Sequence, residues 1–237
     1  MPIRLTGLLC GGLLLITGAT AASAVAAAPI KAKIRVEGTA KTLVATRTVE
    51  LADAPIIKDG NPAHSCAGQT ALGALQAGTG GDWTGTWYEG LGYSADTIKG
   101  FKPAGSDYFE LWVDHRLSQV GLCGANLKTD DSVLLFVQHC TYDPTLQACP
   151  HPETPLGIRA PSTLRKGKIG TLRVVDYDAQ GKTTPEPGAT IFANGKRLGK
   201  TDKHGVFDFK GRTKGVAKVY ASKSGFARSE VADLRIR

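Results

Sequence analysis

The sequence predicts a chain of two parts, an α+β layered domain followed by an all-β sandwich, and three observations carry that expectation. Between residues 31 and 150, strand-like segments surround one helical segment. From residue 170 onward, short strand-like runs alternate with turn clusters at regular spacing. Between them, 151–169 turns to Pro, Ser, Arg and Lys, the composition of a linker or a strand-edge crossover.

Residues 33–37 (KIRVE) alternate apolar and polar side chains, 41–51 do so loosely, and Gly38-Thr39-Ala40 joins them, which is a hairpin signal. After the turn at 59–62, residues 66–77 (CAGQTALGALQA) space Cys66, Thr70, Leu72, Leu75 and Ala77 roughly as a helix does, stopped by the glycines at 78–81. Aromatic-rich strands are expected over 83–88, around Gly92-Tyr93 and over 108–113, with Asp114-His115-Arg116 as a turn. The apolar run at 132–140 reads as a buried strand. A single helix on a mixed sheet makes an α+β layer. In the second part, strands are expected over 171–177, 189–193, 206–209, 215–222 and 231–236, spaced as in a small β-sandwich.

The first residues read as an export signal. Arg4 gives a positive start, 5–16 form an apolar run too short to span a bilayer, and Ala22-Ser23-Ala24 fits a small-residue cleavage site, defining a signal peptide over 1–24. A signal retained as an anchor is the alternative. No long apolar segment follows Ala28, so no integral span is expected after signal removal. Cys10 leaves with the signal, and Cys66, Cys123, Cys140 and Cys149 remain. In an exported chain these imply two disulfides with three formal pairings. Cys140–Cys149 closes a short loop, and by elimination Cys66–Cys123 ties the helix to the sheet. The rival reading, a zinc site of His139, Cys140, Cys149 and His151, is disfavoured because adjacent strand residues point to opposite faces.

Charge divides the chain. Residues 31–159 carry eleven Lys or Arg against fourteen Asp or Glu, whereas 160–237 carry seventeen against seven. The basic half suits an anionic partner, a cell-wall polymer, membrane headgroups or another surface protein, with nucleic acid disfavoured; the competing reading is a face of solvated lysines that keeps the chain soluble. Its candidate basic face is Lys196, Arg197, Lys200, Lys203, Lys210, Arg212, Lys214 and Lys218, provided the hairpins stack. In the first half Trp83, Trp87, Tyr88 and Trp112 form a candidate ligand platform for a hydrophobic or sugar-like group, with sheet core as the competing reading. Paired cysteines leave no thiolate nucleophile, and Ser94, Ser106 and Ser118 lack nucleophile-elbow glycines. Residues 176–181 superficially resemble the start of a calcium loop but lack its later glutamate, so turn chemistry is the reading. No cofactor is expected and no catalytic residue is assigned.

Two family resemblances join this reading. Through Ile34-Arg35-Val36-Glu37-Gly38, the 70–75 segment, residues 108–114 and 127–136, the first part (31–150) resembles the secreted bacterial form of the transcobalamin and intrinsic factor C-terminal domain. That family's Gly-Asp before its last strand is here Asp130-Asp131. The resemblance implies a β-grasp-like fold. Cobalamin contacts in that family require a large helical domain that this sequence lacks, so no cobalamin-binding residue is carried over. Through 171–176, 187–191, Gly195, 201–207 and 223–229, the second part (170–237) resembles the carboxypeptidase-regulatory or prealbumin-like sandwich. Such a module implies a structural or binding role, not peptidase activity. The fold class is thus an α+β β-grasp-like domain plus an all-β, prealbumin or immunoglobulin-like sandwich. The expected function is an exported, non-catalytic binding or scaffold protein at the cell surface. The alternatives are an extracellular carrier of a cobalamin-like, hydrophobic or sugar ligand, and a cryptic hydrolase.

Overall fold

Alternation along one strand sets the architecture of the first half. The elements run β1 (Lys31–Glu37), β2 (Thr42–Glu50), α1 (Ala71–Thr79), β3 (Trp83–Tyr88), β4 (Gly92–Ile98), β5 (Tyr108–Val113), β6 (Arg116–Leu117) and β7 (Ser132–Gln138). The structure, a computed structural model, describes residues 29–145, 149–150 and 152–237. Residues 1–24, where an export signal is expected, with Cys10, and His151 lie outside the described residues. In β1, Ala32, Ile34 and Val36 share one face of the sheet while Lys33, Arg35 and Glu37 share the other, as the two-residue strand period requires.

The sheet order is β2-β1-β7-β5-β6. The expected hairpin of β1 and β2 forms, and β1 also pairs in parallel with β7, Lys33 opposite Ser132. One face is covered by α1 and the β3–β4 hairpin, where Leu72, Leu75, Trp83, Tyr93 and Ile98 join Ile34, Val133 and Leu135 in a core. The other face is covered by the second half of the chain. There Trp112, Leu134 and Phe136 pack with Ala227, and Leu117 and Tyr177 close over them. This is why β7 is apolar along both faces, and burial of Leu134 and Phe136 contributes about 1.5–3 kcal/mol each. The helix starts later than its sequence pattern, because Cys66 is held in a bridge with Ile56 and so remains extended.

The second half consists of β8 (Thr154–Arg159), β9 (Thr163–Leu164), β10 (Ile169–Tyr177), β11 (Thr183–Pro185), β12 (Thr190–Ala193), β13 (Lys196–Lys200), β14 (Val206–Lys210), β15 (Gly215–Ser222), β16 (Phe226–Ala227) and β17 (Ala232–Ile236). They form two sheets, β11-β10-β8-β16 with β14 also on β10, and β13-β12-β15-β17-β9. Leu156, Leu172, Val174, Ile191, Val219 and Leu234 fill the space between them. The fold is therefore mostly β, with one helix among the described residues.

The 151–169 segment is not a free linker. It supplies β8, which pairs with β10 over four positions, and β9, which pairs with β17. Proline and glycine misdirect the sequence reading here. Pro155 lies beyond the last β10 partner and faces only the two-residue β16, where a missing N–H costs the ladder little. Gly157 is a packing glycine, since a Cβ there would lie 2.6 Å from the Tyr177 ring.

Candidate binding surface

The junction of the two halves is polar as well as apolar. Glu37, its side chain 3% exposed, receives Arg228 Nε at 3.0 Å and Nη2 at 2.5 Å, Arg35 Nη1 at 3.1 Å, and the Thr42 hydroxyl at 3.0 Å. Arg35 Nη1 also donates to the Arg228 carbonyl at 2.6 Å. Burial draws the Arg35 guanidinium below its ordinary value, opposed by the charges of Glu37 and Glu230. Beside them, fully buried Gln138 donates to Glu110 at 3.0 Å and exchanges hydrogen bonds with the Glu153 backbone. His115 stacks on Tyr177 with centroids 4.2 Å apart, and Leu117 N donates to the Ala179 carbonyl at 3.0 Å. The two halves are thus joined by ion pairs, ladder-like hydrogen bonds and a shared apolar cluster.

The four aromatics of the candidate platform do not meet. Trp83 and Trp87, four residues apart in β3, share a face, and both approach Tyr93 edge-on at 6.0 and 5.1 Å. Trp83 is 3% exposed in the helix-side core, its Nε1 donating to Gln76 at 2.7 Å. Tyr88 is on the opposite face and 51% exposed. Trp112 is on the far side of the main sheet, 1% exposed, its Nε1 donating to Glu110 at 2.7 Å. The sequence spacing could not show this separation, because β3 and β5 belong to different sheets.

What the sequence reading missed is a cluster around Trp87. His64 stacks on its ring at 4.6 Å, and the His64 Nδ1 bonds Asp59. Asp59 also accepts from the Tyr93 hydroxyl at 2.9 Å and the Asn61 amide at 3.0 Å. The His64 bond first, then the Asn61 and Tyr93 bonds, outweigh partial desolvation and hold the Asp59 carboxyl down to about 2. Because this lies below the ordinary 3.8, the contribution to stability is present above about pH 4 and is lost as pH falls toward 2. An NMR titration of the Asp59 carboxyl is expected to give a midpoint near 2, moving up in Tyr93→Phe; a midpoint near 4 in the unaltered protein would contradict this geometry. The other His64 nitrogen faces Asn61 Nδ2 at 3.2 Å, so the pair anchors the 59–66 loop and addresses no nucleophile.

Cys66 bonds Cys123 and Cys140 bonds Cys149. His139 Nδ1 pairs with Asp107 at 2.7 Å rather than turning to Cys140. In the 176–181 turn, Asp178 caps the amides of Gln180 and Lys182 at 3.0 and 2.8 Å, which is turn chemistry. Among the described residues, no group of three or more His, Cys, Asp or Glu is arranged to hold a metal ion.

All eight residues of the candidate basic face are exposed, but strand register divides them. On the outer face of the β13-β12-β15-β17-β9 sheet, Arg197 is opposite Phe192 and Lys200 opposite Thr190, beside the Phe192–Tyr220 stack at 4.9 Å. Lys218 shares that face but is engaged with Asp233 at 3.0 Å. Lys203 lies in the turn leading to β14, and Lys196 borders the β12–β13 hairpin. Lys210, Arg212 and Lys214 gather instead around a cleft of about 420 Å³ at the end of the sandwich. The single basic face expected from sequence is therefore a basic rim around one end of the sandwich and its outer sheet.

No protein-family model, curated protein or solved structure matches this chain.

Proposed function

We propose that the protein is an exported, non-catalytic binding protein of the cell surface, in which the sandwich holds an anionic polymer and the first domain braces it. The observation that carries the reading is the state of the sandwich charges. The carboxylates Glu186 and Asp233 are engaged with Lys223 and Lys218, and Arg228 with Glu37, while Arg197, Lys200, Lys203, Lys210, Arg212 and Lys214 are exposed and in no ion pair among the described residues. A repeating anion such as a phosphodiester or uronate wall polymer supplies the complementary charge at matching multiplicity. Support for export comes from the four paired cysteines, which belong to an oxidising compartment. In this reading the first domain is β-grasp-like, with its hairpin, crossing helix and parallel β1–β7 pair, and the second is prealbumin-like.

The test is retention of the secreted chain on immobilised poly(glycerol phosphate) across a salt gradient. Retention is expected to weaken steeply with salt, and Arg197→Gln/Lys200→Gln is expected to elute at clearly lower salt than the unaltered chain. Salt-independent retention, or unchanged elution of the variant, would overturn the reading. The carrier alternative is favoured by a different observation, the cleft at the sandwich end, and not by the dispersed tryptophans.

A further inference from the structure

The cleft at the end of the sandwich joins an apolar floor to a cationic rim. It opens where the two sheets part, between β13 at the edge of one and β14 at the edge of the other. Its floor is made by Leu198 and Phe207, with Phe209 and Ile236 beneath them. Gly199 shapes that floor, because a Cβ there would lie 2.7 Å from Phe207 Cε2, and its absence lets the ring reach across from β14 to β13. Leu198 remains 41% exposed and Val216, at the same opening, 46%. Large apolar side chains left in water beside a concavity mark a surface that binds something apolar. The volume of about 420 Å³ falls within the range of small-ligand pockets, roughly 300–1,000 Å³.

Charge specifies the other end of the ligand. Lys210, Arg212 and Lys214 line the same cleft and are in no ion pair among the described residues. Asp208 is the one carboxylate in the lining, and it receives the Thr171 hydroxyl at 3.5 Å. Three cations against one anion over an apolar floor fit a molecule with an apolar body and an anionic head. A neutral apolar ligand would leave the cations unused, and a small hydrophilic anion would leave Leu198, Phe207 and Val216 in water.

We infer that this cleft binds a single-chain anionic amphiphile, with the acyl chain laid between β13 and β14 and the carboxylate or phosphate head on Arg212, Lys210 and Lys214. The inference deepens the binding-protein reading by giving its sandwich a discrete ligand, yet it uses residues distinct from Arg197 and Lys200 on the outer sheet face. A guanidinium and two ammonium groups at the crossover from β14 to β15 adapt to either head group.

The experiment uses the whole secreted chain and a fluorescent long-chain fatty acid as the probe. Laurate and dodecyl phosphate are expected to displace it saturably, and comparison of the two identifies the preferred head. Methyl laurate is expected to bind about tenfold more weakly, since it loses the charge-assisted contacts while keeping the chain. Butyrate and inorganic phosphate are expected not to compete. Arg212→Gln/Lys214→Gln should cost laurate roughly tenfold with little loss for methyl laurate. Leu198→Asp, at a partly exposed position of the floor, should weaken both while leaving the far-ultraviolet circular dichroism of the chain unchanged. Equal binding of acid and ester, failure of laurate to displace the probe, or indifference to these substitutions would overturn the inference. Polymer retention measured in parallel separates the two readings. Loss of retention in Arg197→Gln/Lys200→Gln with laurate binding intact leaves the cleft assigned, whereas intact retention with no laurate binding removes the cleft and leaves the polymer reading.

Discussion

Replacing Arg228 by alanine is expected to destabilise the protein by about 3–5 kcal/mol, because it leaves a buried carboxylate without its principal partner. Glu37 has a side chain 3% exposed and takes two of its hydrogen bonds from the Arg228 guanidinium. The polar cleft that Glu37 and Arg228 line at the junction of the two halves gives water a route to the stranded carboxylate, which sets the loss toward the lower end of that range. A second effect tempers the loss. Arg228 lies close enough to Arg35 to act against that second buried cation, and truncation relieves this repulsion. Arg35 and the Thr42 hydroxyl also remain on Glu37. The expected value is therefore at the lower end, about 3 kcal/mol. Denaturant unfolding of Arg228→Ala, of Arg228→Lys and of Glu37→Gln/Arg228→Ala measures it. The double variant should recover little of the loss, since neutralising Glu37 strands the buried Arg35 guanidinium in its place; a single-variant change under about 1 kcal/mol would mean that the junction is solvated and weak.

Removal of the disulfides should separate the two bonds by size of effect. Cys66–Cys123 closes a loop of 57 residues and Cys140–Cys149 one of 9. Restriction of the unfolded chain then predicts a loss of about 4 kcal/mol for Cys66→Ala/Cys123→Ala and about 2.5 kcal/mol for Cys140→Ala/Cys149→Ala. Packing enlarges the difference. Cys66 is 3% exposed within the core of the first half of the chain, and the Cys123 sulfur accepts the Tyr93 amide at 3.4 Å. Equilibrium unfolding of the two double variants is the measurement, and a larger effect at Cys140–Cys149 would contradict the ordering.

Several features of the fold were legible in the sequence for local reasons. The hairpin at β1 and β2, the aromatic strands and the strand-rich second half all follow from period-two alternation and turn residues, which act over a few positions. The disulfide partners followed from compartment and loop length. What was not legible depends on contacts between distant segments. The 132–140 run announced a buried strand, of which 132–138 form β7, but nothing local said that its second face would be buried by Ala227 and Tyr177. Trp112 was grouped with Trp83 and Trp87 because all three are aromatic and near in sequence; the pairing of β5 with β7 placed it on the other side of the sheet. Pro155 and Gly157 read as loop residues, although one faces only a two-residue strand and the other makes room for a ring. The basic residues were individually visible, but their division into an outer face and a cleft rim required the register of β12 against β13.

The parallel pairing of β1 with β7 has a consequence for the order in which the protein assembles. The strand that emerges first finds its central neighbour about a hundred residues later, Lys33 against Ser132, and Arg35 finds the Arg228 carbonyl only after a further stretch, 193 positions away. Contacts so distant close slowly, and until they do β1 has only β2 beside it, with an open edge and a half-bare apolar face. β1 is therefore made early and completed late.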